Sequence, residues 1–117
     1  RQRELRVRLL GVDAPESVHP QRPVEPGGPE ASELAKKLVA EGGDQVRLQF
    51  DKERLDRYGR TLAYVWIQDK MLNEELIRAG VARAELRFRY AEPMKRRFRA
   101  AQEEARQARR GLWSLSP

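Results

Sequence analysis

The sequence contains no cysteine and a single histidine, His19. Without thiols there is neither a disulfide framework nor a thiolate metal site, and the redox state of a compartment leaves no mark on the chain. One histidine in a loop reads as a surface residue rather than as a ligand or a base. Long apolar runs are missing too, the uninterrupted stretches falling far short of the roughly 20 residues that span a bilayer. No leader with a charged and then an apolar region opens the sequence. The chain as given is therefore expected to be soluble, with no membrane partner. Internal repeats and low-complexity tracts are absent as well.

What is present is charge, with one sign in excess. The 117 residues carry 24 Lys+Arg against 18 Asp+Glu, a formal net charge of +6. The average surface potential attracts polyanions, with nucleic acid ahead of an anionic membrane surface or an acidic protein. Charged residues make up 36% of the chain, but another 39% is hydrophobic and falls in short periodic runs, which separates it from a disordered basic tail. The length suits one domain, residues 1–117, with one modest core.

Leu5, Val7 and Leu9 alternate with Arg6, Arg8 and Leu10, the period of a strand with one face on a core, and Arg8 falls on the face opposite Val7 and Leu9. Pro15 cannot donate to a ladder, so this strand is expected to end near Asp13. Prolines and glycines mark residues 17–28 as a long surface loop. Gly28-Pro29-Glu30 reads as a helix entry, with Ala31, Leu34, Ala35 and Leu38 inward and Gly42-Gly43 as the stop. Val46, Leu48 and Phe50 predict a second half-buried strand, and "TLAYVWI" a third, apolar enough to be covered on both faces. "LNEELIRAG" is a short helix stopped by Gly80. Met94, Phe98, Ala101, Ala105 and Ala108 form one narrow apolar stripe on a last helix, and Gly111 ends it before Leu112 and Trp113, expected to pack back on the core. Strands and helices interleave without a βαβ rhythm, which favours α+β with a small, mostly antiparallel barrel.

Asp13 and Glu16 stand three apart at the turn, and two such carboxylates suit a hard divalent cation. Taken alone this pattern is common by chance. Arg8 precedes the pair, and Arg60 follows the glycine of "DRYGR". A guanidinium offers a fixed fork of donors that matches two phosphate oxygens. A metal and two arginines aimed at one phosphate would suit phosphoryl transfer, but spacing alone leaves open whether these side chains converge.

"RVRLLGVDAPE", "GPEASELAKKLV", "FDK" with "DRYGR" and "LAYV", "NEELIRAGVA" and a basic helix ending in "GLWS" together resemble the staphylococcal-nuclease-like (thermonuclease) family, in order and over essentially the whole chain. The resemblance implies an OB-type five-stranded barrel with three helices. It also implies a calcium-dependent nuclease that hydrolyses the 5′ P–O bond of DNA and RNA, single strands preferred, and leaves 3′-phosphates. By the same resemblance Arg8 and Arg60 are the catalytic arginines, Asp13 a calcium ligand, and Ala14 the donor of a backbone carbonyl to the metal. Glu16 matches the glutamate that positions or deprotonates the attacking water, and meets the metal through that water. Arg57 and Tyr58 line the phosphate site. Leu86 and Phe88 replace a tyrosine pair, so Phe88 keeps a stacking face without the hydroxyl. A secreted or cell-envelope address fits the family.

One departure bears on the metal. The family's Asp-Gly-Asp-Thr stretch, which supplies a second aspartate ligand on an N-terminal strand hairpin, has no counterpart in the sequence. The chain is accordingly expected to be an N-terminally incomplete piece of a longer protein, monomeric once complete; strands supplied by another chain and a genuinely incomplete site are the alternatives. A non-catalytic OB-type module that binds nucleic acid or protein is the rival function. Trp66 and Trp113 read as core residues. The basic cluster Lys95-Arg96-Arg97 with Arg99, Arg106, Arg109 and Arg110 is either an electrostatic track or a solvated helix face.

Overall fold

The computed structural model describes residues 6–13 and 28–115. In chain order they form β1 (Val7–Leu9), β2 (Val12–Asp13), α1 (Gly28–Glu41), β3 (Arg47–Gln49), β4 (Thr61–Ile67), β5 (Lys70–Met71), α2 (Leu72–Arg78), β6 (Arg83–Ala84), α3 (Glu92–Gln107) and a closing 3-10 turn (Gly111–Leu115). The class is α+β with three helices, as the sequence pattern predicts.

β4 is the axis, because "TLAYVWI" is apolar on both faces of its pleat. Leu62, Ala63, Tyr64, Val65 and Ile67 are at most 5% exposed. It pairs antiparallel with β3 and β5 and parallel with β1, while β2 pairs antiparallel with β6 in a separate ladder. The β1–β4 contact is the one parallel pairing among the described strands.

The single strand expected up to Asp13 is in fact two strands at a bend. Gly11 has φ of +76°, and a Cβ on it would lie 2.6 Å from the Phe98 ring, so only glycine fits. The bend turns Leu10 and Val12 inward, to 1% and 2% exposure, and leaves Val7 at 36%. The core face of this segment is therefore led by Leu10 and Val12, with Leu9 half-buried against it and Val7 outside it.

α3 covers this core with the expected stripe: Phe98, Ala101 and Ala105 are buried, and the Phe98 ring meets Tyr64 and Tyr90 at centroid distances of 6.2 and 5.9 Å. Ala108 is exposed instead, because the helix ends at Gln107 and Ala108 is its C-cap. α2 and α3 lie side by side, and just beyond their C-terminal ends Gly80 and Gly111 touch; a Cβ on either would come within 2.3 Å of the other segment's backbone. Between the two helices Arg97 donates Nε and Nη2 to the Glu74 carboxylate, each at 3.0 Å.

Two further expectations need correction. In β3 only Leu48 is half-buried, while Val46 and Phe50 are 47% and 39% exposed. Phe50 is covered instead by the Arg54 guanidinium, 4.1 Å from its ring centre. Trp66 and Trp113 are half-buried rather than enclosed: Trp66 packs against the core with Arg47 and Arg97 over its ring, and Arg83 and Arg106 lie over Trp113. On α1, Ala31 is buried and Leu34, Ala35 and Leu38 are partly so.

Candidate active site

Three segments enclose an open groove of about 680 Å³: the end of β1 with the bend after it, the loop of residues 53–60, and the stretch of residues 85–89. The loop folds on its own aspartate. Asp56 Oδ1 accepts the amides of Tyr58 and Arg60, each at 2.9 Å, and Oδ2 accepts Arg60 Nε at 2.7 Å. Gly59 closes this turn with φ of +79°. Burial pushes the Asp56 carboxyl up, but the bonds from Arg60 and Tyr58 and the Arg60 charge outweigh it and hold the group below its ordinary value. Arg60 is thus gripped at Nε, and among the described residues no acceptor takes its two terminal amino groups.

Tyr58 is 67% exposed, with the guanidinium carbons of Arg57 and Arg60 at 5.6 and 5.5 Å from its ring centre. Phe88, 40% exposed, lines the groove from the segment of residues 85–89. On the third wall Arg8 Nη1 donates to the carbonyls of Leu9 and Val12 at 2.9 and 2.6 Å, so its guanidinium straps the bend at Gly11 while lining the groove. The structure therefore brings Arg8, Arg57, Tyr58, Arg60 and Phe88 to one groove.

Asp13 stands exposed at the end of β2, opposite Arg83 of β6, and is not among the residues lining the groove. Ala14, Glu16 and His19 lie outside the described residues. Calcium takes six to eight oxygen ligands, and among the described residues no three acidic or histidine side chains gather as such a cluster. The described residues carry one carboxylate of the expected shell, not the shell itself.

Asp51 is a positioning residue the motif reading passed over. Its Oδ2 accepts the Tyr64 hydroxyl at 2.5 Å and the Ala91 amide at 3.0 Å, and its Oδ1 the Lys52 amide at 2.7 Å. One carboxylate thereby joins the root of the loop, the central strand and the segment entering α3, which are the supports of two groove walls. Burial raises the Asp51 pKa, yet the bonds from Tyr64, Ala91 and Lys52 and the Lys52 charge leave it below its ordinary value. A carboxyl with a lowered folded pKa contributes stability above its unfolded pKa of about 3.9 and loses it as pH falls through the folded value. Asp51→Asn is expected to cost about 1–3 kcal/mol at neutral pH, with the gap to wild type narrowing below about pH 4. Denaturant unfolding from pH 7 to pH 2 reads this; a gap constant across that range would show that Asp51 is not the group responsible.

Fold and groove together define a class, an α+β protein whose cleft sets guanidinium groups beside open aromatic faces, a lining with the chemistry to hold phosphate oxygens. The chain belongs to the staphylococcal nuclease family: the family described as "Staphylococcal nuclease homologue" matches residues 6–115, and with it comes the OB-type fold. The chain is 43% identical to a thermonuclease of Staphylococcus hyicus over 111 residues, 92% of this chain and 62% of that protein. A thermonuclease of Staphylococcus intermedius is 46% identical over 110 residues, with 92% and 62% covered. Endonuclease YncB of Bacillus subtilis is 39% identical over 111 residues, 94% of this chain and 52% of that protein. The chain thus spans between half and two thirds of the length of these relatives.

Proposed function

We propose that this chain carries the active site of a calcium-dependent nuclease that cleaves the 5′ P–O bond of DNA or RNA and leaves a 3′-phosphate. The convergence of Arg8 and Arg60 on a groove that also holds Tyr58 and Phe88 carries this reading. A phosphate seated there meets Arg60, whose two terminal amino groups match two of its oxygens, and Arg8 from the neighbouring strand β1. Both give most when charge builds on the phosphoryl oxygens in the transition state. Glu16 positions the attacking water or removes its proton. The water oxygen bonds to phosphorus, the P–O5′ bond breaks, and its electron pair leaves with the 5′ oxygen, which takes up a proton. Calcium, assigned to Asp13, the Ala14 carbonyl and, through a water, Glu16, would add positive charge near the phosphate when bound.

Tyr58 and Phe88 offer faces to bases that are out of a duplex stack, which favours single strands. Contacts to the phosphate carry no base information, so cleavage tolerates sequence. The test is incubation of the protein with labelled single-stranded DNA and RNA, in calcium and in chelator. Calcium-dependent cleavage with 3′-phosphate ends, lost in Glu16→Ala, is expected. Binding with no cleavage would overturn the enzymatic reading in favour of a non-catalytic binding module.

A further inference from the structure

α3 carries its positive charge unevenly. Toward and just beyond its C-terminal end two cations are matched, Arg106 at 2.6 Å from Glu103 and Arg110 at 3.0 Å from Glu104, while Arg109 is exposed with no ion pair among the described residues. Arg97 is taken by Glu74 of α2. In the N-terminal half, Arg96 and Arg99 are exposed, and no carboxylate among the described residues forms an ion pair with either. Lys95 has only Glu92 at 3.8 Å and sets its ammonium 5.1 Å from the Tyr90 ring centre.

Helix physics does not ask for this pattern. Lys95 and Arg96 follow directly on the first turn, the end at which the helix dipole disfavours cations. Residues 95 and 99, four apart, and 96 and 99, three apart, are like-charge neighbours that repel by some tenths of a kcal/mol, of the order of about 0.2–0.5. The placement also continues the groove. Arg87 and Arg89 line its rim, and Tyr90, next in the chain, lies against Gly11 at the groove floor and under the Lys95 ammonium.

We propose that Arg96 and Arg99 extend the groove, by way of Arg87 and Arg89, into a track for the phosphates of the single strand that flanks the reacting nucleotide. This rests on the nuclease reading of the groove and names where the rest of its substrate lies. The track reads charge, not bases, and gives long strands an affinity that a dinucleotide cannot share.

The measurement is fluorescence anisotropy in chelator, over a salt series, with a labelled thymidine strand of about twenty nucleotides and a labelled thymidine dinucleotide. In Arg96→Gln/Arg99→Gln the ratio of long-strand to dinucleotide affinity is expected to fall roughly tenfold or more at low salt, and the slope of log K against log salt to shrink by about 1.4. Arg96→Lys/Arg99→Lys is expected to retain both. Lys36→Gln/Lys37→Gln, which removes equal charge from the exposed face of α1, is expected to leave the ratio at the wild-type value. A wild-type ratio and slope in Arg96→Gln/Arg99→Gln, or an equal loss in the α1 variant, would overturn the track. Because binding is read in chelator, an absence of cleavage in calcium would count against the nuclease reading and leave this result legible.

Discussion

Arg60→Ala is expected to lower kcat on single-stranded DNA by about 10²–10³, the loss that follows removal of one well-placed donor to transition-state charge, roughly 2.7–4 kcal/mol. Stability should change little, since the Arg60–Asp56 pair is partly open to solvent, with 34% of the arginine side chain exposed, and such pairs contribute about 0–1 kcal/mol. Arg60→Lys restores a charge but neither the fork nor the Nε bond to Asp56, so little activity should return. Asp56→Asn is the more informative variant. The amide oxygen still accepts from the Tyr58 and Arg60 amides, so the turn survives, while Arg60 Nε loses its charged acceptor and the guanidinium its fixed orientation. That variant should fall by roughly tenfold in kcat with KM nearly unchanged, the pattern of an interaction used only in the transition state. Steady-state kinetics on one oligonucleotide reads all three. Arg60→Ala within threefold of wild type would remove Arg60 from the chemistry.

Much of this architecture is legible because its apolar signals are long or unmistakably periodic. "TLAYVWI" reads as a doubly covered strand and is one; Phe98, Ala101 and Ala105 read as one face of a helix and are buried together. Short patterns mislead where alternation reports which side chains share a face but not what covers that face. Val46 and Phe50 keep the period and still lie in solvent, and Phe50 finds its cover in Arg54, four residues on. Trp66 and Trp113 look enclosed by their neighbours and are half-covered by guanidinium groups, Trp66 with its other side on the core, a pairing that composition hides because arginine is counted as surface. The bend inside "RLLGVD" has a local sign, Gly11, but its cause is the Phe98 ring far along the chain. The groove residues follow the same division. "DRYGR" is a self-contained turn, so its aspartate and arginine are legible together at spacing i, i+4. Asp51 joins Tyr64 and Ala91, 13 and 40 residues away, and no local pattern could show that it clasps two walls.

Asn73→Ala is expected to bring the largest loss of stability. Asn73 is fully buried on α2, and its amide group is the junction of three segments: Nδ2 donates to Leu10 O at 2.8 Å and Ala63 O at 3.2 Å, and Oδ1 accepts from Val65 N at 2.9 Å. Ala63 O also accepts from Leu10 N, so it stays bonded when Asn73 is shortened. Leu10 O and Val65 N lose this partner inside the core. At about 1–3 kcal/mol for each buried group left unpaired, the loss is roughly 2–6 kcal/mol, a large share of the 5–15 kcal/mol that holds a typical domain together. Asn73→Asp separates the hydrogen bonds from the packing. It keeps the acceptor for Val65 N but turns an oxygen toward Leu10 O, and burial next to a carbonyl favours the protonated acid and raises its folded pKa. A carboxyl raised on folding destabilises the fold as pH climbs above its unfolded value, so Asn73→Asp should approach wild-type stability toward about pH 4 and fall away toward pH 7, whereas Asn73→Ala should stay low at both. Leu10 begins the bend that Arg8 straps, so both variants should also loosen the Arg8 wall of the groove and weaken long-strand binding before they unfold. Urea unfolding at the two pH values distinguishes the variants; a loss under about 1 kcal/mol for Asn73→Ala would mean that water or rearranged backbone takes over both groups.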